Sequence, residues 1–232
     1  MNNIPQETTP PNTRTFGGAF HNDRDFGIVI KMKKRPLPPH TKLHSLTAKK
    51  VFSGVRFDVY QWLQKQFDGS LATYEIVKRA DTVIILPIIG DEVVLVKEQQ
   101  PHWEKPGFTL VAGMANATED LMVAARRELE EETGLIFKNY HLVHIETNPT
   151  IEWSAYTFIA IGYVGKKEKK LDPGEKNETV KISFDKLIKM TRRKELFYRP
   201  RFIEDMLMQD KLDELRDLLK NPARYSIKIW RR

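Results

Sequence analysis

The sequence predicts an α/β fold with antiparallel strands towards the N-terminus and a helical extension at the C-terminus. Two β-branched apolar runs, at 82–89 and 92–98, have the composition of buried strands. One helical pattern lies between Thr118, a possible N-cap, and Gly134, placed as a C-terminal glycine. A second helical spacing of apolar residues covers about 200–220.

The N-terminal half reads as a tail followed by hairpins. Residues 1–42 are rich in Pro, Asn and Thr and carry basic residues, which predicts a flexible tail. Strands then follow within 49–64, interrupted at Gly54. The turn signal at 68–70 joins them to 71–79 as a hairpin.

A second hairpin signal, Gly90-Asp91, joins the two β-branched runs. Elements beyond it are expected as a short strand in 107–113, strands at about 137–147 and 153–164, and helices near 184–194 and 200–220.

Composition limits the class of protein. The chain has 232 residues, 41% of them hydrophobic, which is enough for a packed core in one medium domain with extensions. It has no cysteine, which excludes disulfides and thiolate metal sites and favours a reducing, cytoplasmic location. Neither a secretory signal nor a membrane span is expected, because no long apolar run occurs.

The net charge of +7 is concentrated in one segment. Residues 31–50 contain seven basic residues and no acidic one. Such a segment can be a solvated, extended arm, or it can attract a polyanion such as RNA. The basic residues are Lys31, Lys33, Lys34, Arg35, Lys42, Lys49 and Lys50.

The helix ending at Gly134 carries an unusual concentration of glutamates. Helical periodicity places Glu128, Glu131 and Glu132 along one flank, beside an apolar stripe. Like charges at this spacing destabilise a helix. A solvated acidic face is one explanation; a bound divalent cation is the other, since Mg²⁺ prefers carboxylate oxygens.

The residues around these glutamates stand at fixed intervals, G-x5-E-x7-R-E-L-x-E-E-x-G-L, from Gly113 to Leu135. This pattern matches every specified position of the Nudix box, so the chain resembles the Nudix hydrolases over about 45–195. The resemblance implies an α/β/α sandwich with a mixed sheet, and hydrolysis of a nucleoside diphosphate linked to another group with Mg²⁺ or Mn²⁺. Together with the tail predicted from composition, it divides the chain into a tail at 1–42, a hydrolase domain at 43–195, and a C-terminal helix and tail at 196–232.

The resemblance also assigns roles within the box. Glu128 and Glu132 are similar to the principal metal ligands, and Glu131 to an additional or water-bridged one. The backbone carbonyl of Ala112 often completes such a site in similar proteins. Arg127 corresponds to an orienting partner of the carboxylates.

Residues 73–79, TYEIVKR, resemble the adenine-binding strand of the ADP-ribose pyrophosphatase branch. The resemblance implies that Tyr74 stacks on the base, that Glu75 accepts from it and that Arg79 follows on the same strand. Phe57 then supplies an opposing aromatic face. In that branch the two aromatic faces that enclose the base often come from different chains of a homodimer with exchanged N-terminal strands. Ordinary strand packing is the alternative for these aromatic residues.

The general base in this branch comes from a loop after the sheet, which here is 166–180. Glu175 and Glu178 are both candidates, and the sequence does not choose between them. The sequence departs from the branch after the strand predicted at 92–98. An arginine is common there, but this chain has Gln99-Gln100-Pro101. A neutral amide there weakens the case for ADP-ribose itself.

Three functions follow from these observations. The first is metal-dependent hydrolysis of ADP-ribose or a nucleoside diphosphate sugar to a nucleoside monophosphate and a sugar phosphate. The second is removal of pyrophosphate from RNA 5′ ends, with residues 31–50 contacting the nucleic acid. The third is a non-catalytic nucleotide-binding module, against which the complete set of box carboxylates argues.

Overall fold

The chain folds into two β-sheets and four α-helices in a computed structural model that describes residues 35–38, 41–171, 176–198 and 200–227. The helices are α1 (Leu121–Thr133), α2 (Phe184–Arg192), α3 (Arg201–Met208) and α4 (Leu212–Lys220). The strands are β1 (Lys49–Ser53), β2 (Asp58–Lys65), β3 (Leu71–Lys78), β4 (Asp81–Ile89), β5 (Glu92–Gln99), β6 (Gly107–Thr109), β7 (Val111–Ala115), β8 (Leu135–Thr147), β9 (Ile151–Glu152), β10 (Ser154–Lys166) and β11 (Lys176–Ser183).

The central sheet has the order β11-β5-β4-β10-β8, with β6 beside β5 and β7 beside β4. Strands β10 and β4 are parallel and the other pairs are antiparallel, so the sheet is mixed, as predicted. A smaller sheet, β1-β2-β3-β9, is built from the predicted N-terminal hairpin and a two-residue parallel strand.

Helices cover both faces of the central sheet. Side chains alternate along β4: Val83 and Ile85 pack towards α1, whereas Ile84 and Leu86 pack towards α2, α3 and α4. The continuous apolar run is therefore explained by burial on both faces. The predicted α/β/α sandwich is confirmed.

The start of α1 differs from the sequence prediction, whereas its end does not. Asp120, not Thr118, is the N-cap of α1, because its carboxylate accepts from the backbone N–H groups of Met122 and Val123. Gly134 ends α1 in the left-handed region (φ 72°), as predicted.

The single helix predicted over 200–220 is wrong. Asp210 adopts φ 56°, and the Lys211 N–H returns to the Met206 carbonyl at 2.9 Å, which closes α3 before α4 begins. Aspartate tolerates this backbone region better than most residues, so the chain can turn here without glycine.

Part of the segment assigned to the tail lies against the sheets. The Tyr156 hydroxyl donates to the Pro36 carbonyl at 3.0 Å, and Arg35 Nη1 donates to Asp81 Oδ2 at 2.6 Å. The predicted boundary at residue 42 stays a prediction. No helix in the described ranges is long and apolar enough to cross a membrane.

Candidate active site

The box forms a loop that leaves β7 and enters α1. Glu119 lies in the loop and Arg127 on the helix, and they form a bidentate pair: Nε to Oε1 at 2.9 Å and Nη2 to Oε2 at 3.1 Å. This hydrogen bond is the main reason that the pKa of Glu119 lies below its ordinary value. Glu119 therefore ties the loop to the helix.

Arg127 also contacts the neighbouring carboxylates. Its Nη1 donates to Glu128 Oε1 at 2.7 Å and to Glu131 Oε2 at 3.2 Å, while Nη2 donates to the Met114 carbonyl at 2.9 Å. Glu119 and Glu128 hold the pKa of Arg127 above its ordinary value. One guanidinium thus fixes two glutamates of the flank relative to the loop.

The Glu128 carboxylate is buried against the backbone of Gly113. A Cβ atom at Gly113 would overlap the carboxylate carbon and both of its oxygens. The Glu128 side chain is 14% exposed, and burial raises its pKa despite the hydrogen bond from Arg127. A buried carboxylate gains most from an additional cation, so this cradle fits a hard metal ion.

The other proposed metal ligands lie on β7 and α1, but they do not surround one common position. Ala112 pairs with Ile84 between β7 and β4, directly before the cradle glycine. Within the parts of the chain that the structure describes, no three histidine, aspartate or glutamate side chains converge closely enough to hold a metal ion. Burial and Lys166 lower the pKa of Lys169, and the charge of Glu132 opposes that shift.

The structure describes only one of the two candidate bases. Glu175 lies outside the described residues. Glu178 lies on β11 opposite Lys97 of β5 and is exposed. Its neighbour Thr179 pairs with Val96, which packs towards α1, so Glu178 leaves the strand on the other face. Glu178 nevertheless acts electrostatically on Lys169, as Glu132 does.

A cavity of about 670 Å³ borders the box loop at Met114, Ala115 and Ala117. Phe57 and Arg79 line it, as does Trp153, for which the sequence suggested no role. The Arg79 guanidinium lies 5.3 Å from the Trp153 ring and 5.9 Å from the Phe57 ring. Burial is the main cause that lowers the pKa of Arg79, and Arg56 adds to it.

Tyr74 and Glu75 do not line this cavity. Tyr74 packs on Trp62 with ring centroids 4.9 Å apart, and Glu75 accepts from Gln61 Nε2 at 2.9 Å. Both residues are exposed on the small sheet. A role for them in binding a nucleobase stays a prediction. The box glutamates also lie outside the cavity lining, and Glu128 packs against Gly113.

The α/β/α sandwich with this loop–helix–loop is the architecture that the resemblance to the Nudix hydrolases implies. The NUDIX domain profile matches residues 78–205, more than half of the chain, which therefore belongs to the Nudix family and is a Nudix hydrolase. The chain is 26% identical over 157 residues to the ADP-ribose pyrophosphatase of Bacillus subtilis (strain 168), covering 66% of this chain and 85% of that protein.

The chain is similar to two further proteins. A methanol dehydrogenase activator of Bacillus methanolicus is 27% identical over 135 residues, covering 56% of this chain and 72% of that protein. The crystal structure of an ADP compounds hydrolase superposes on this chain with a TM-score of 0.57 at 18% identity, covering 72% of this chain and 94% of that chain. The resemblance to the ADP-ribose pyrophosphatase branch is thus confirmed.

Proposed function

We propose that the protein hydrolyses the diphosphate linkage of ADP-ribose or a nucleoside diphosphate sugar, giving a nucleoside monophosphate and a sugar phosphate. One observation carries the proposal. The Glu128 carboxylate, only 14% exposed, packs against Gly113 of the box, and an aromatic, guanidinium-lined cavity of about 670 Å³ lies against the box loop. A nucleotide bound in that cavity can present its phosphates to the glutamate flank.

Glu128 and Glu132, with Glu131 and the Ala112 carbonyl, would hold Mg²⁺ or Mn²⁺. Such an ion neutralises phosphate charge and lowers the pKa of its bound water. Arg127 keeps Glu128 and Glu131 in place through its hydrogen bonds at 2.7 and 3.2 Å. Glu175 or Glu178 removes the proton from the attacking water.

The cavity supplies the groups that a nucleotide needs. Phe57 and Trp153 offer aromatic faces, and stacking of a base on such a face is worth about 1–3 kcal/mol. Arg56 and Arg79 also line the cavity, and neither guanidinium pairs with a carboxylate among the described residues. A phosphate is a suitable partner for both of them.

We further propose a homodimer formed through the small sheet. Apolar side chains are exposed on both faces of this sheet, with Phe52 (58%), Leu63 (65%) and Leu71 (63%) on one face and Tyr74 (52%) on the other. An apolar patch of this kind marks an interaction surface. A second copy could bring Tyr74 and Glu75 to the cavity. Sedimentation equilibrium is expected to give a dimer at micromolar protein, and a monomer would contradict this part of the proposal.

RNA 5′ ends are a less favoured substrate. Two cations of the 31–50 segment are engaged within the chain: Arg35 pairs with Asp81 and Lys50 with Asp58, both at 2.6 Å. Lys31, Lys33 and Lys34 lie outside the described residues. Cations already paired with carboxylates contribute less to binding a polyanion.

A substrate panel tests the proposed function. ADP-ribose, nucleotide sugars, dinucleoside polyphosphates and capped or triphosphorylated RNA are incubated with and without Mg²⁺ and Mn²⁺, and the phosphate products are identified. Turnover is expected to require the metal and to be fastest on ADP-ribose or a nucleotide sugar. If RNA is turned over fastest, RNA 5′ ends replace the proposed substrate class. If a nucleotide binds but no compound of the panel is hydrolysed, the protein is a binding module.

A further inference from the structure

Arg35 binds the box loop from outside the residues that the family profile matches. Its Nη1 pairs with Asp81 Oδ2 at 2.6 Å, and its Nη2 donates to the Glu119 carbonyl at 3.1 Å and closely to the Asn116 carbonyl. The Arg35 side chain is 18% exposed. Three acceptors and partial burial distinguish this contact from an ordinary surface ion pair.

The anchor of Arg35 is itself fixed. The second Asp81 oxygen accepts from the Ser154 N–H at 3.0 Å, at the start of the parallel pair β4 and β10. The next residue, Pro36, accepts from the buried Tyr156 hydroxyl at 3.0 Å. Arg35 therefore connects the rigid centre of the sheet to the loop between β7 and α1.

The loop positions that Arg35 holds are the ones that orient Glu119. The Glu119 N–H donates to the Asn116 carbonyl at 3.0 Å, and the Asn116 N–H donates to Glu119 Oε2 at 3.1 Å. Glu119 then holds Arg127, which contacts Glu128 and Glu131. An unbroken series of hydrogen bonds runs from Arg35 to the glutamate flank.

We propose that Arg35 is a positioning residue for hydrolysis: it fixes the loop at Asn116 and Glu119 and thereby the carboxylates that hold the metal. The inference rests on the proposed metal role of Glu128. It also gives the segment ahead of β1 a function in the site, because Leu37, Thr41 and Leu43 line the same cavity as Arg35.

Arg35→Ala, Arg35→Lys and a matched control, Lys42→Ala, test this role. Lys42 is exposed in the same segment, so its replacement removes the same charge without touching the loop. Arg35→Ala is expected to lower kcat about tenfold and to weaken Mn²⁺ binding, measured by electron paramagnetic resonance without substrate, by a similar factor. KM for the nucleotide should change less than kcat.

Lysine can retain the pairing with Asp81 but cannot span three acceptors, so Arg35→Lys is expected to be intermediate. Lys42→Ala should match wild type. Wild-type kcat and Mn²⁺ affinity in Arg35→Ala would overturn the inference. So would losses that disappear when the assay is run well below the melting temperature of the variant, because the role would then be only structural.

The metal measurement separates this inference from the proposed function. If wild type and Glu128→Gln bind Mn²⁺ equally, the metal role of Glu128 fails, and the inference fails with it. If Glu128→Gln loses Mn²⁺ but the Arg35 variants do not, the inference alone fails. Should Arg35→Ala not fold, Arg35→Lys carries the test, and wild-type behaviour of that variant on every measure would count against the role.

Discussion

Replacing Glu132 by glutamine is expected to lower kcat by about 10²–10³-fold, the range seen when one preorganised stabilising group is removed from a site. Glutamine keeps the size and shape of the side chain but removes the charge that a hard cation needs. Removing one of several neighbouring like charges on α1 relieves repulsion, so the variant is expected to stay folded. Steady-state kinetics with Mg²⁺, together with thermal unfolding, measure both effects.

Two companion variants make the result specific. Glu130→Gln removes the same charge from the other side of α1, where Glu130 pairs with Lys167, and is expected to keep nearly full activity. Glu178→Gln tests the base: a large loss in kcat would assign Glu178 that role, and wild-type activity would leave Glu175 as the candidate. Wild-type turnover in Glu132→Gln itself would refute the metal assignment.

The fold was largely predictable because its signals are local. The β-branched runs of β4 and β5 are buried on both faces, and the turn glycines Gly69 and Gly90 adopt positive φ as their hairpins require. Gly134 likewise ends α1 where predicted. The break between α3 and α4 was missed, because it depends on left-handed Asp210 and not on a glycine or proline.

The candidate site was predictable only where its residues share one short motif. The box places Glu119, Arg127 and Glu128 at intervals that a helix and its preceding loop convert directly into contacts. Arg35 and Trp153 could not be found in this way. They reach the site through tertiary contacts with Asp81 and Arg79, far away in sequence and with no characteristic spacing.

The absence of a short local motif also explains why the roles of Tyr74 and Glu75 stay predictions. Tyr74 and Glu75 match a family pattern, but neither lines the cavity of its own chain, and as neighbours on β3 they point to opposite faces of the small sheet. A second copy could bring them to Phe57 and Arg79, as proposed above, and a single sequence carries no direct signal for such an arrangement. The homodimer, the metal identity and the cytoplasmic location stay predictions.

Gly113→Ala is expected to lower kcat about 100-fold while the protein remains folded. The added Cβ would overlap the Glu128 carboxylate, so that carboxylate must leave its cradle. The obstacle is the flexible end of a side chain, and Gly113 does not have a positive φ, so the backbone of β7 can accept alanine. A misplacement of about 1 Å in a catalytic group can cost about 10²-fold in rate.

Gly165→Ala is the matched control, because a Cβ at that β10 glycine would meet nothing within 4 Å. It should retain wild-type kcat and melting temperature. Combining Gly113→Ala with Glu128→Gln should add little to the loss from Glu128→Gln alone, since both changes act through one carboxylate. Additive losses, or full activity in Gly113→Ala, would mean that catalysis does not depend on where the Glu128 carboxylate lies, and the glycine of the box would then need a different physical explanation.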